Sequence, residues 1–166
     1  PSDIEIKVNA IFGGNTTVNN IISLQGNAEF LGTLSITQDE GYLLFNGLEN
    51  QEVKLNENDN YKKIVLEKES GNLTFSNSSK IKTFINTKGT SIFNKAATFE
   101  SIENAGTIQI NEDSSTNTLS NANKIEIAEG KILSILGIFE DTGEVLGKLK
   151  FTGNLDQTAS LNESSS

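Results

Sequence analysis

The chain is built from short segments in which apolar and polar side chains alternate, and this pattern limits its fold more than any other feature. The clearest segments are Ile4–Val8, Leu34–Ile36, Val53–Leu55, Leu73–Phe75, Ile108–Ile110, Ile125–Ile127, Leu133–Ile135 and Leu149–Phe151. Alternation with a period of two places the apolar side chains on one face of a strand and the polar ones on the other. Gly, Asn and Ser separate the segments, so the pattern predicts an all-β chain of many short strands.

The composition agrees with this prediction. The sequence contains 21 Asn, 17 Ser and 15 Thr, and these residues are poor in helix interiors because they compete for backbone hydrogen bonds. Its 14 Gly and its many Asn suit short turns. Hydrophobic residues make up 35% of the chain, and their regular alternation favours a packed core over disorder.

The spacing of the segments predicts a repeating architecture. The strand centres in the second half of the chain are evenly spaced at first and then fall further apart, near Thr74, Ile92, Gln109, Glu126 and Leu149. A unit of about 17–20 residues with two or three short strands is typical of one coil of a β-solenoid. The segments Asn104–Ile110 and Asn121–Ile127 share one residue pattern, one such unit apart. An antiparallel β-sandwich is the alternative fold.

If the chain is a solenoid, we can predict where its apolar, Asn and outward residues lie. Inward Ile, Leu, Val and Phe should stack in columns from coil to coil, and Asn at the corners should stack on Asn of the next coil. Outward residues such as Gln109 and Glu126 should form the exposed face. We expect the Phe side chains to lie in the core, and these are Phe12, Phe30, Phe45, Phe75, Phe84, Phe93, Phe99, Phe139 and Phe151.

The length of 166 residues predicts a single domain. We assign residues 1–155 to one β-solenoid domain or segment and residues 156–166 to a flexible tail. The segments Ile132–Phe139 and Val145–Phe151 flank Glu140–Glu144, which predicts a hairpin over residues 132–151 that either caps the domain or protrudes from it. Residues 1–20 lack the pattern of a signal peptide, and no apolar run reaches the length of a membrane span.

The absent residue types narrow the possible chemistry. The sequence has no His, Cys, Met or Trp, and all 13 of its basic residues are Lys. It therefore offers no Ser-His-Asp or Cys-His nucleophile system and no thiolate or imidazole metal site. The net charge of −9 predicts repulsion from nucleic acids and anionic lipid surfaces. We therefore expect no enzyme, no membrane insertion and no cofactor, and we assign no catalytic, cofactor-binding or metal-binding residue.

Three acidic segments could contact a cation. Asn56–Asn60 followed by Glu67 places oxygen ligands like a calcium loop, but Tyr61 stands where such a loop needs Gly. We interpret the segment as a solvated turn, and a weak calcium site near Asn56–Asn60 stays open. Asn111–Asp113 and Glu140–Asp141 are interpreted in the same way, as turns with surface charge.

The segment IENAGTIQINEDSSTNTLSNANKIEIAEGKILSIL, residues 102–136, resembles the passenger regions of bacterial autotransporters and of haemagglutinin-type adhesins. The Asn-, Ile- and Lys-rich composition without Arg is similar to surface antigens of AT-rich intracellular bacteria. The resemblance extends over residues 71–136, and the sequence before this range is less regular. It implies a right-handed parallel β-helix, displayed outside the cell, that acts in adhesion, shielding or display.

These observations give one leading functional hypothesis. We expect a secreted or surface-displayed segment that binds a host or neighbouring cell-surface protein or glycan, or that serves as a stalk. The alternative is a pilin-like or filament subunit that pairs with copies of itself through an edge or donor strand, for which Ile4–Val8 is the candidate. A carbohydrate-binding β-sandwich is less favoured because Trp is absent and Tyr42 and Tyr61 are the only tyrosines.

Overall fold

The computed structural model describes residues 3–153 and 159–160, and every regular element within them is a β-strand. Because this part of the chain forms no helix, it holds none that is long and apolar enough to cross a membrane.

The strands are short in the first half of the chain and near the end, whereas the middle of the chain also contains four long ones. The first eight are β1 (Ile4–Ile6), β2 (Ala10–Phe12), β3 (Thr16–Val18), β4 (Ile22–Leu24), β5 (Ala28–Phe30), β6 (Leu34–Ile36), β7 (Leu43–Phe45) and β8 (Gln51–Lys54). The middle strands are β9 (Tyr61–Phe75), β10 (Ser79–Phe93), β11 (Ala97–Asn104), β12 (Thr107–Ile110), β13 (Ser114–Asn121) and β14 (Lys124–Ile127). Of these, β9, β10, β11 and β13 are the long ones. The last are β15 (Ile132–Ile135), β16 (Phe139–Asp141), β17 (Glu144–Leu146), β18 (Lys148–Phe151) and β19 (Ala159–Ser160).

All pairings between the described strands are parallel, and each strand stacks on one that lies one coil away in the chain. The coils differ in length: the coil that brings Leu119 onto Ile102 is shorter than the one that brings Leu43 onto Ile22. The chain is a parallel β-solenoid of about eight coils. The predicted solenoid is confirmed, and the antiparallel sandwich is excluded because a sandwich requires antiparallel neighbours.

The core consists of columns of equivalent side chains. One column on the side formed by β4, β7, β9, β10, β11, β13 and β16, here called the first side, contains Ile22, Leu43, Ile64, Phe84, Ile102, Leu119 and Phe139. Each of these side chains is at most 1% exposed. Phe75 and Phe93 stack in another column with ring centroids 4.3 Å apart. The prediction for the Phe side chains is confirmed at most positions, but Phe12 is half-buried and Phe151 is 43% exposed.

A second column on the first side changes from apolar to polar along the stack. Leu24, Phe45 and Leu66 are followed in register by the ladder residues, which are Asn86, Asn104, Asn121 and Asp141. The Nδ2 group of Asn104 donates a hydrogen bond to Oδ1 of Asn121 at 2.7 Å, and Nδ2 of Asn121 donates to Oδ1 of Asp141 at 2.7 Å. The predicted stacking of corner Asn side chains is therefore confirmed. All four ladder residues are buried.

The corner that follows the ladder residue Asn104 brings the backbones of two coils into contact. Oδ1 of Asn104 accepts a hydrogen bond from the N–H group of Gly106 at 3.2 Å, which fixes the turn. A Cβ atom on Gly106 would lie 2.5 Å from the carbonyl oxygen of Gly89 in the preceding coil. This spacing leaves no room for a side chain, so the close stacking of the coils requires glycine here.

The predicted hairpin over residues 132–151 is wrong. Strands β15 and β18 pair in parallel, with Leu133 opposite Leu149, because they occupy equivalent places in successive coils. Between them the chain forms β16 and β17, which are joined by a corner at Thr142 and Gly143. Such a corner has the same strand–turn–strand pattern in sequence as a hairpin. Most of the predicted tail, residues 156–166, lies outside the described residues. Within it, strand β19 stacks on Phe139–Glu140.

Candidate functional site

The calcium-like segment Asn56–Asn60 uses its side-chain oxygens to hold the backbone. The carboxylate of Asp59 accepts hydrogen bonds from the N–H groups of Leu34 at 2.7 Å and Asn60 at 2.9 Å. Oδ1 of Asn56 accepts one from the N–H group of Asn58 at 3.1 Å. The segment therefore ties a loop to the preceding coil. No group of three or more acidic side chains in the described part of the chain is placed to hold a metal ion.

The other two acidic segments differ from each other. Glu112 forms an ion pair with Lys131 at 2.5 Å, and Asp113 accepts a hydrogen bond from the N–H group of Ile132 at 2.9 Å, so both lie at a surface turn as predicted. Glu140 is exposed, but Asp141 is only 2% exposed at the end of the ladder. The prediction of surface charge is therefore wrong for Asp141, because its side chain points inward.

A lysine is also buried within the stack. Nζ of Lys68 donates hydrogen bonds to the carbonyl oxygens of Gly47 and Glu49, the latter at 2.8 Å, and to Oε1 of Gln51 at 2.8 Å. Burial lowers the pKa of the Lys68 ammonium group to about 8, partly offset by the nearby Glu49. The sequence analysis did not predict this buried charge, although the alternation of Ile64 and Leu66 continues to Lys68 and places it on the inward face of β9.

On the outward face predicted to contain Gln109 and Glu126, polar side chains of neighbouring coils contact one another. Nε2 of Gln109 donates a hydrogen bond to Oε2 of Glu126 at 2.8 Å. Lys124 lies 2.6 Å from Glu126 and 3.7 Å from Glu144. The hydrogen bond from Lys124 lowers the pKa of Glu126, and the same contact raises the pKa of Lys124. These side chains therefore pair with one another along the strand and across neighbouring coils.

A groove of about 590 Å³ lies on the outside of the first side, across β10, β11, β13 and β16. In its central row, Ile85, Glu103, Ser120 and Glu140 are in register on successive strands. Small side chains at neighbouring outward positions make the surface concave, and these are Ser101, Ala105 and Ala122. The groove therefore offers an extended ligand a concave surface that runs across four strands.

The groove is lined by two acidic side chains, Glu103 and Glu140, and by no basic one. Neither carboxylate forms an ion pair within the described part of the chain. Both side chains are exposed, so their charges face solvent.

No family model, curated protein or solved structure matches the chain. The functional argument therefore rests only on the geometry of the fold and of its outer surfaces. The sequence did not predict the groove, although one signal was present: small residues recur at outward positions 101, 105, 120 and 122.

Proposed function

We propose that this chain is a non-catalytic segment of an extracellular bacterial surface protein, which binds a host or neighbouring cell surface and holds other parts of its protein outward. The observation that carries the proposal is the continuous stack of parallel coils with outward side chains in register. Such a stack is stiff along its axis because each coil hydrogen-bonds to the next. At about 4.8 Å per coil, eight coils extend roughly 40 Å.

The composition of the surface supports a role in binding rather than catalysis. The sequence lacks His and Cys, which supply most nucleophile–base pairs in enzymes. Outward Lys and Glu side chains pair across neighbouring coils, as Lys82 does with Glu100 at 3.7 Å. A surface of ordered, repeated polar groups suits recognition of an extended partner.

Adhesion of coated beads tests this proposal. Polymer beads that carry the folded chain should be retained on cultured epithelial cells or on bacterial cell layers more strongly than beads that carry an inert protein of similar charge. Beads that carry the variant Ile125→Asp serve as the control for folding, because Ile125 is fully buried and a charge there unfolds the coil. Equal retention of all three bead types would overturn the proposal.

Self-assembly is a second candidate, favoured by the first coil. Strands β1, β2 and β3 each pair with one described strand only, namely β4, β5 and β6, so their other edges lie open within the described structure. An open parallel edge can accept a strand from a second copy. Sedimentation velocity over a concentration series tests this: growth into polymers that is lost on deletion of residues 1–10 supports assembly, and a persistent monomer contradicts it.

A further inference from the structure

The groove on the first side combines an aliphatic surface with hydrogen-bonding groups. Ile85 is half-buried in its floor, and Ile138 is 52% exposed at its end. The hydroxyl groups that line it belong to Thr87, Ser101, Thr118 and Ser120. The apolar part of a ligand can lie over Ile85 and Ile138 while its polar atoms form hydrogen bonds with the hydroxyl groups.

Two carboxylates stand at opposite sides of the groove centre. Glu103 and Glu140 flank Ser120 in the register of the first side, so their Cα atoms are two coil spacings apart, about 10 Å. Some outward Glu side chains pair with a Lys on a neighbouring coil, as Glu69 does with Lys88. Glu103 and Glu140 form no ion pair within the described part of the chain, and the groove lining contains no Lys that could compete with a cationic ligand.

We infer that this groove binds an extended peptide segment of a partner protein that carries Lys or Arg side chains. The cationic ends pair with Glu103 and Glu140, and the aliphatic stems lie over Ile85 and Ile138. The hydroxyl groups of Ser101 and Ser120 bond to the backbone of the segment. Those of Thr87 and Thr118 instead donate to the carbonyl oxygens of Leu66 and Glu100 within the protein. The net charge of −9 favours encounter with a cationic partner. The inference deepens the proposed function and rests on it, because it names the binding surface and the class of partner.

A peptide fits the lining better than a neutral glycan does. Sugar rings usually stack on aromatic side chains, and the residues around this groove include none. Hydroxyl and carboxylate groups alone can bond to sugars, so a neutral oligosaccharide is the outcome that the test must exclude.

Fluorescence anisotropy with a labelled decapeptide of alternating Lys and Ser tests the inference on the full chain. We expect saturable binding that weakens as salt is added, and no binding of the matching Glu–Ser peptide. The double variant Glu103→Gln/Glu140→Gln should lower the affinity on the order of tenfold, because each exposed ion pair contributes a factor of about two to five. The control Glu40→Gln/Glu129→Gln removes the same charge at exposed positions outside the groove and should retain the affinity.

A second variant fills the groove without altering the core. Ser120 is exposed between the two carboxylates, so the variant Ser120→Lys supplies its own cation to them and should abolish peptide binding. The control Ser115→Lys makes the same change at an outward position of β13 away from the groove, and it should bind as the parent does. Circular dichroism should report the same β content for both variants.

Three outcomes would overturn the inference. They are absence of saturable peptide binding, an equal loss of affinity in the two double variants, and displacement of the peptide by neutral maltohexaose. The bead assay distinguishes this failure from failure of the proposed function. Beads that adhere without peptide binding in the groove leave a surface-binding role intact at another face. Peptide binding without bead adhesion supports the groove and contradicts the adhesive role.

Discussion

Buried Asn side chains replace apolar ones at one position of the coil, because backbone carbonyl groups at the adjacent corner require hydrogen-bond donors. Asn121 sits directly before a corner where carbonyl groups turn inward. Its Nδ2 group donates hydrogen bonds to Asp141 and, at 3.3 Å, to the carbonyl oxygen of Glu144, while its Oδ1 accepts from Asn104. A leucine at this position would leave those groups unpaired, which costs more than its burial returns.

The variant Asn121→Ala tests the contribution of the ladder. We expect the free energy of unfolding to fall by about 2–4 kcal/mol, because the buried Asp141 carboxylate loses a donor and Asn104 loses an acceptor. Urea denaturation followed by circular dichroism measures the change. Asn117→Ala on the same strand is the control, since Asn117 is exposed and should change stability by less than about 0.5 kcal/mol. Equal effects of the two variants would contradict the structural role of the ladder.

The buried Lys68 makes stability depend on pH in a direction opposite to that of the surface lysines. Its ammonium group has a pKa of about 8 in the folded chain and near 10.5 when unfolded. Between these values the unfolded state binds more protons, so the free energy of unfolding rises as pH increases. Paired surface lysines such as Lys124 have a raised pKa, and their contribution is lost at high pH.

Comparison with Lys68→Met isolates this dependence. When the pH is raised from 7 to 9.5, the free energy of unfolding of the parent should rise by about 2 kcal/mol relative to that of the variant. The other titrating groups are common to both proteins and cancel in this difference. Urea midpoints and slopes at the two pH values give the difference. Parallel pH profiles for parent and variant would show that the amine keeps its ordinary pKa in the folded state.

At the scale of strands and corners, the sequence predicted the repeat but not the connections between strands. The matching segments Asn104–Ile110 and Asn121–Ile127 do lie in register on successive coils, because inward Ile must meet inward Ile. The hairpin prediction failed for a physical reason. A short turn between two alternating strands has the same local sequence whether the strands pair with each other or with neighbouring coils, and only the pairing over about 17–20 residues separates the two.

The candidate groove was harder to predict than the fold. Alternation shows that Glu103 and Glu140 point outward, and it does not show that Ser120 stands between them, because the coils on either side of Ser120 differ in length. That juxtaposition depends on the length of each corner. The ladder was predicted only in part, since corner Asn residues were expected to stack but Asp141 was expected at the surface.

The tight corner at Gly106 gives a prediction at this scale. The variant Gly106→Ala places a methyl group against the backbone of the preceding coil, which cannot move aside as a flexible side chain can. We expect a loss of about 1–3 kcal/mol in the free energy of unfolding, typical of overpacking. Gly13→Ala is the matched control, because a Cβ there meets no atom within 4 Å. If urea denaturation gives equal stabilities for the two variants, the coils do not approach as closely as described.

For the whole molecule, the stack behaves as a one-dimensional array in which each coil contacts its immediate neighbours. The free energy of unfolding is then approximately a sum over single coils and over the interfaces between neighbours, so each interface contributes only where the two coils match. The columns of Ile, Leu and Phe continue through most of the stack, so the inward residues of successive coils are similar in size and position. If one coil is removed, the coils on either side of it can therefore pack against each other.

Removal of one whole coil is therefore better tolerated than removal of half a coil. Deletion of residues 104–120 joins Glu103 to Asn121, which then takes the place of Asn104, its partner in register one coil earlier. We expect this variant to keep the β-type circular dichroism spectrum and a cooperative unfolding transition. Deletion of residues 104–112 removes fewer residues but leaves half a coil, so the inward columns no longer meet and the chain should fail to fold. The smaller deletion is thus expected to be the more damaging one, because it breaks the register. If the chain without residues 104–112 folds and the chain without residues 104–120 does not, coil matching does not determine stability.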